Sequence, residues 1–165
     1  MQDGIARMGE VVFSNSRIPE LRALGLGSCI GMCVFDPVAK LACLAHIMLP
    51  QAKSPDTPDV GKYADTAIPY VLENMVSKGA VKSRLRVAIV GGAQLFSFAG
   101  AGDRLDVGRR NTEAVKHWLS ASRIRLVAEE TGGKSGRTVL FDAGTGEVTV
   151  KSAGGEAINL VNLAS

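Results

Sequence analysis

Two apolar runs of strand length, residues 28–35 (Ser-Cys-Ile-Gly-Met-Cys-Val-Phe) and 40–48 (Lys-Leu-Ala-Cys-Leu-Ala-His-Ile-Met), flank the tetrapeptide Asp36-Pro37-Val38-Ala39. Asp followed by Pro is a type I turn signature: Asp bonds its own backbone further along, and Pro pre-sets φ for the second turn position. The two runs are therefore expected to form an antiparallel hairpin. The turn also sets a register. A loop over 36–39 pairs residue 35 with residue 40, so that paired residue numbers sum to 75. Cys29 and His46 then oppose each other on one face, at the roughly 4.5–5.5 Å Cβ spacing of direct cross-strand neighbours. The alternatives are a three-residue loop with a bulge, which shifts the sum by one, and a Cys29 that lies just before the strand.

The rest of the chain frames this hairpin. Residues 9–13 and 21–24 read as short strands, and 50–61, rich in Pro, Asp, Ser and Gly, as an exposed loop. Ile68, Val71, Leu72, Met75 and Val76 recur at helical spacing from about Asp65 to Lys78. Gly79 ends that helix, and Pro69 suits only its first turn. Residues 84–90 form a strand ending at Gly91-Gly92. A second helix is expected from Asn111 or Thr112 as cap to about Ser122, with Ala114, Val115, Trp118 and Leu119 facing the core. A strand at 124–129 follows, then a hairpin pairing 137–142 with 147–151 across Asp142–Gly146. This order predicts one domain over 1–165, an α/β (α+β) sandwich. Its core is a mixed, largely antiparallel β-sheet, with helices packed outside.

Composition excludes several classes of function. The net charge is only +3, and the basic residues are scattered, with Arg109-Arg110 and Arg123/Arg125 the densest pairs. That is a solvated surface rather than a phosphate-tracking stripe, so no nucleic-acid partner is expected. No apolar run has the length of a membrane span, and Met1-Gln2-Asp3-Gly4 lacks the basic-then-apolar order of a signal peptide. No membrane insertion is expected. Three cysteines, an odd number in a chain long enough for its own core, point to free thiols in a reducing cytoplasm.

Those thiols include the chemistry of interest. A cysteine and a histidine in contact make a nucleophile and a base, and a nearby imidazolium lowers a thiol pKa from about 8.5. Gly27 and Ser28, both small, let a substrate approach the main chain before Cys29. The amide of Cys29 and a neighbour could face a developing oxyanion, with the Gly91–Ala93 turn as a further candidate. The competing reading is structural: Cys29 as a small buried hydrophobe and His46 as a satisfied core residue. Cys33 and Cys43 read as core, and His117 as a boundary residue. A zinc site from Cys29, Cys33, Cys43 and His46 conflicts with strand alternation, which turns Cys43 and His46 to opposite faces. Gly25-Leu-Gly27 fails the dinucleotide fingerprint because Ile30 occupies the third glycine position. Gly132-Gly133-Lys134-Ser135 fails as a phosphate loop because Ala128 occupies its first glycine position. No metal or organic cofactor is expected.

Seven segments taken together resemble one family. They are Gly25-Leu-Gly-Ser-Cys-Ile, Asp36-Pro-Val-Ala-Lys, Ala45-His-Ile-Met-Leu-Pro, Gly61-Lys-Tyr-Ala-Asp-Thr-Ala, Gly91-Gly-Ala-Gln-Leu-Phe, Arg110-Asn and Glu130-Thr-Gly-Gly. The chain, from about residue 9 onward, is similar to the chemoreceptor glutamine deamidases, CheD. The resemblance implies an α/β sandwich similar to deamidating bacterial toxins. It implies conversion of glutamines on the cytoplasmic helices of chemoreceptors to glutamates in bacterial or archaeal chemotaxis. A CheC-type phosphatase is the regulatory partner that the resemblance suggests. Carried over by position, Cys29 matches the nucleophile and His46 the base. The family's third residue is a threonine six positions before the cysteine, where this chain has Ala23. From there only the main-chain carbonyl could orient the imidazole. That departure motivates an alternative: a weakly active or inactive binding module for a CheC-type phosphatase or a receptor. A plain small-molecule hydrolase is a third, less supported option.

Overall fold

The computed structural model describes residues 3–14, 18–94 and 106–165. Leu95 and Phe96 of the Gly91 segment, and Met1-Gln2 of the N-terminal motif, lie outside them. The described strands form two sheets. The first has five strands in the order β1 (Val11–Phe13), β4 (Leu41–Ile47), β3 (Ile30–Asp36), β5 (Arg86–Gly91) and β6 (Arg125–Thr131). The second has four, in the order β2 (Glu20–Leu26), β7 (Arg137–Asp142), β8 (Glu147–Ser152) and β9 (Ala157–Asn162). The other described elements are helices α1 (Ala64–Ser77) and α2 (Val107–Ala121) and a one-turn 3-10 helix at Lys82–Arg84. All pairings between the named strands are antiparallel except β5–β6, whose strands are joined through α2. This is the expected α+β sandwich, in three layers: sheet, sheet and helices.

The hairpin strands show why the layers form. Every residue of β3, and every residue of β4 but Leu41, is buried. A strand apolar on both sides needs cover on both faces. On one face Cys33, Phe35, Ala42 and Leu44 pack with Leu21, Leu26, Val139 and Phe141 of the second sheet. The Phe35 and Phe141 rings meet edge-on, 6.1 Å apart, the geometry favoured by aromatic quadrupoles. On the other face Met32, Val34, Cys43 and Ala45 pack with Ala67, Ile68 and Val71 of α1 and Val115 and Leu119 of α2. Cys33 and Cys43 are core, on opposite faces of the sheet.

The structure departs from the sequence reading at four places. In the hairpin, Asp36 pairs with Leu41 and Gly31 with His46, so paired numbers sum to 77. The turn itself is as read, with the Asp36 carboxylate accepting from the amides of Val38 and Ala39 at 2.9 and 3.0 Å. Its first residue is still part of the strand, however, and the loop proper is 37–40, closed by Lys40 at φ 53°. Second, α2 begins at Val107 rather than at a cap formed by Asn111 or Thr112. Third, α1 starts one residue early, at Ala64, and Pro69 lies in its second turn rather than its first. Fourth, β9 lies outside the expected elements. It is an edge strand whose first three residues are exposed, so its sequence lacks the alternation that marks a half-buried strand.

Asp36 closes the hairpin from below. Its side chain is inaccessible to solvent and also accepts from the Val81 amide at 2.9 Å and from the Arg84 guanidinium at 3.0–3.1 Å. Burial alone would raise its pKa. The Arg84 bond and the three amides outweigh that and hold it at about 2, below the ordinary 3.8. Asp36→Ala would leave these amides and Arg84 without their acceptor. It is expected to cost about 3 kcal/mol in urea denaturation. A depressed carboxylate stabilises the fold above its unfolded pKa. The wild-type advantage over Asp36→Ala should therefore be complete above pH 3.8 and shrink toward pH 2.

Candidate functional site

Cys29 lies in the bend before β3, half-buried against the core between the sheets. The bend is held by its carbonyls. Gly27 O accepts from the Ala93 amide at 2.8 Å, and Cys29 O from the Gly92 amide at 2.9 Å. Ser28 O accepts from the side-chain amide of Asn111 at 2.9 Å. The close fit explains the paired glycines after β5. A Cβ on Gly91 would strike the Cys29 carbonyl, and one on Gly92 would strike Thr112 Oγ1. Both also have positive φ, 115° and 62°, a region that favours glycine. The amides of Gly92 and Ala93 are thus engaged by the bend itself. The expectation that this turn also faces an oxyanion is corrected.

His46 is near the end of β4 and 3% exposed. It alternates with Ala42 and Leu44, so its ring enters the space between the sheets. Its ladder partner is Gly31, not Cys29. Cys29 stands two residues before Gly31, in the bend that precedes the ladder. Gly31 carries no side chain between them. A Cβ there would already meet Leu26 Cδ1 at 3.0 Å and Val139 Cγ1 at 3.2 Å.

The imidazole is oriented by a residue the sequence did not reveal. Nδ1 lies 2.8 Å from the carbonyl of Ala6. A carbonyl only accepts, so Nδ1 carries the proton and Nε2 is left as the basic nitrogen. The main-chain acceptor is therefore Ala6, and the assignment of that role to Ala23 is corrected. Ala23 pairs with Val139 in the second sheet, and its buried methyl points toward Gly31. Ala6 belongs to an N-terminal strap that bridges the sheets. The Ala6 amide donates to Arg22 O of β2 at 2.8 Å, and the Arg22 amide to Gly4 O at 2.8 Å. The same strap holds the main chain of His46: its amide donates to Glu10 O, and its carbonyl accepts from Gly9, each at 2.9 Å. A carbonyl acceptor has no residue-type signature, so no sequence pattern could have found it.

Electrostatics favour neutral partners. Burial raises the Cys29 thiol pKa above its ordinary 9.0. Burial lowers the His46 pKa below 6.5, against the opposing pull of the Ala6 bond and the Glu10 charge. Both shifts run against the expected imidazolium–thiolate pairing, since burial favours the neutral form of each group. Nδ1 bonds Ala6, and Nε2 has no hydrogen-bond partner among the described residues.

Among the described residues, no group of three or more His, Cys, Asp or Glu side chains could hold a metal ion, and no helix is long and apolar enough to cross a membrane. The three cysteines are unpaired.

A two-sheet, two-helix sandwich that brings a cysteine bend and a buried histidine to one inner face can be compared with known proteins. The family model described as CheD chemotactic sensory transduction matches residues 48–152. The chain is 43% identical over 157 residues to the probable chemoreceptor glutamine deamidase CheD of Syntrophomonas wolfei, covering 93% of this chain and 98% of that one. It is 47% identical over 132 residues to the probable chemoreceptor glutamine deamidase CheD of Desulfitobacterium hafniense strain DSM 10664 / DCB-2, covering 80% and 82%. With the chemoreceptor glutamine deamidase CheD of Bacillus licheniformis it shares 40% identity over 154 residues, covering 92% of each. The chain belongs to the CheD family. The family model begins two residues past His46, so the match to it does not depend on the cysteine–histidine pair.

Cys33 and Cys43 are wholly buried, and burial pushes both thiols far above the ordinary value. Iodoacetamide at neutral pH should therefore label only Cys29 in the folded protein, slowly, at a rate still rising beyond pH 9.0. Peptide mapping by mass spectrometry reads both the site and the rate. Labelling of Cys33 or Cys43 at a similar rate would contradict the burial described.

Proposed function

We propose that this chain is a protein-glutamine deamidase acting on chemoreceptors, with Cys29 as nucleophile and His46 as general base. The single observation that carries the reading is the Nδ1 bond to Ala6, which leaves Nε2 of a neutral imidazole free on the face that Cys29 shares. His46 Nε2 takes the Cys29 proton as sulfur attacks the side-chain amide carbon of a substrate glutamine. The amides of Ser28 and Cys29, in the small-residue bend that begins at Gly27, hold the oxyanion. Collapse of the tetrahedral intermediate breaks the C–N bond, and His46 gives its proton to the departing ammonia. His46 then draws a proton from water, and the hydroxide attacks the thioester. The thiolate leaves and is reprotonated by His46, and the glutamic acid formed loses its remaining proton to ammonia or solvent, giving glutamate and ammonium. The names of the relatives supply the substrate class.

The second reading, a binding module for a receptor or a CheC-type phosphatase, draws on the raised thiol pKa. Its original motive was Ala23, and Ala6 now supplies the acceptor that position lacks.

The test is incubation with a receptor cytoplasmic fragment, followed by mass spectrometry. Each deamidated glutamine gains about one dalton as ammonia is lost and water added. Cys29→Ala should abolish the gain, and His46→Asn should slow it about 10²–10⁴-fold. No gain with the wild type, or equal gain with Cys29→Ala, would sink the reading.

The active form is thiol plus neutral imidazole. Protonating His46 removes the base, and ionising Cys29 removes the proton that ammonia needs. The pH profile of kcat/KM should be bell-shaped, with its acid limb below 6.5 and its alkaline limb above 9.0. An acid limb above pH 7 would contradict the burial argument. Ala23→Thr adds atoms to a fully buried position. It is expected to cost about 1–3 kcal/mol of stability and to leave turnover equal, because Nδ1 already has its acceptor.

A further inference from the structure

We propose that Asn111 is a positioning residue for the oxyanion site, an inference that rests on the deamidase reading above. Asn111 is fully buried on the inner side of α2. Its Nδ2 donates to Ser28 O at 2.9 Å and to Met48 O at 2.8 Å. Both acceptors are carbonyls, so the orientation of the side-chain amide is dictated by chemistry. One NH2 group thus ties the bend before Cys29 to the chain two residues after His46. Nucleophile and base are referenced to the same atom.

The direction of these bonds matters. In a trans peptide the carbonyl and the following N–H point opposite ways in one plane. Ser28 O and the Cys29 N–H share a plane. By drawing Ser28 O toward α2, Asn111 turns the Cys29 N–H away from the helix. That amide belongs to the nucleophile itself and is the natural oxyanion donor. The flanking carbonyls, Gly27 O and Cys29 O, are held by backbone amides. Ser28 O is the one held by a side chain. Asn111 Oδ1 has no partner among the described residues although it is buried. An unpaired buried acceptor destabilises a fold, and such costs gather where the group serves a function.

Two variants test this in the full-length protein. Asn111→Leu keeps the shape and removes both donors, and Asn111→Ser is shorter but keeps one. Deamidation of a receptor cytoplasmic fragment gives kcat and KM. Alkylation of Cys29 by iodoacetamide across pH gives a second readout, because that displacement passes through no oxyanion. The expected result is a fall in kcat of about 10–100-fold in Asn111→Leu, smaller in Asn111→Ser, with KM within about twofold. The alkylation rate and its pH profile should stay within about twofold of wild type. Unchanged kcat in both variants would overturn the proposal. So would an alkylation profile that moves with kcat, since that marks general loosening of the site. Failure of both variants to fold would assign Asn111 to the fold alone and overturn it too. Absence of deamidation by wild type would instead overturn the underlying reading, and this inference with it.

Discussion

Burial of the β3–β4 hairpin on both faces is the constraint from which the rest follows. Neither strand has a face that can meet water. A second sheet must cover one side and the two helices the other. The hairpin's odd and even positions are thereby divided between two cores. Because the side-chain period in a strand is two, that division decides which core His46 enters. It enters the one between the sheets, on the side where Cys29 packs. The metal reading of the three cysteines fails for the same reason, since Cys33 and Cys43 are separated by the thickness of the sheet.

The site forms where this inner core opens at the end of the hairpin. Three independent pieces meet there: the bend before β3, the glycine turn after β5 and the N-terminal strap. Each contributes main chain. The glycine turn takes up the carbonyls of Gly27 and Cys29, and the strap supplies the Ala6 carbonyl to His46. An imidazole oriented by main chain does not depend on the side chain of the orienting residue, and in this structure Ala6 holds His46 while position 23 carries only a methyl group. The same burial favours the neutral form of both the Cys29 thiol and the His46 imidazole.

The legible part of the sequence was the part governed by local chemistry. Helical periodicity placed α1 within a residue, and turn residues placed both hairpins. The register of the first hairpin slipped because Asp at the first position of a turn still belongs to the strand. Buried bonds to Val81 and Arg84 hold it there, and neither is near in sequence. Asn111 departs from the role its residue type suggests for a related reason. Its residue type favours a helix cap, but its amide is drawn inward by two carbonyls distant along the chain. The edge strand β9 escaped notice because half of it is exposed and its pattern is weak.

By itself, the sequence determined the layered class of fold, the Asp36 turn and the small-residue segment before Cys29, because spacing and residue type encode these locally. Tertiary structure alone decided the register that seats Gly31 opposite His46, and the choice of Ala6 as the imidazole's acceptor. It also decided the clamp that Asn111 makes across the site. The physical reason is common to all three. A backbone carbonyl is the same group at every residue, so which one accepts a bond depends only on where the folded chain carries it.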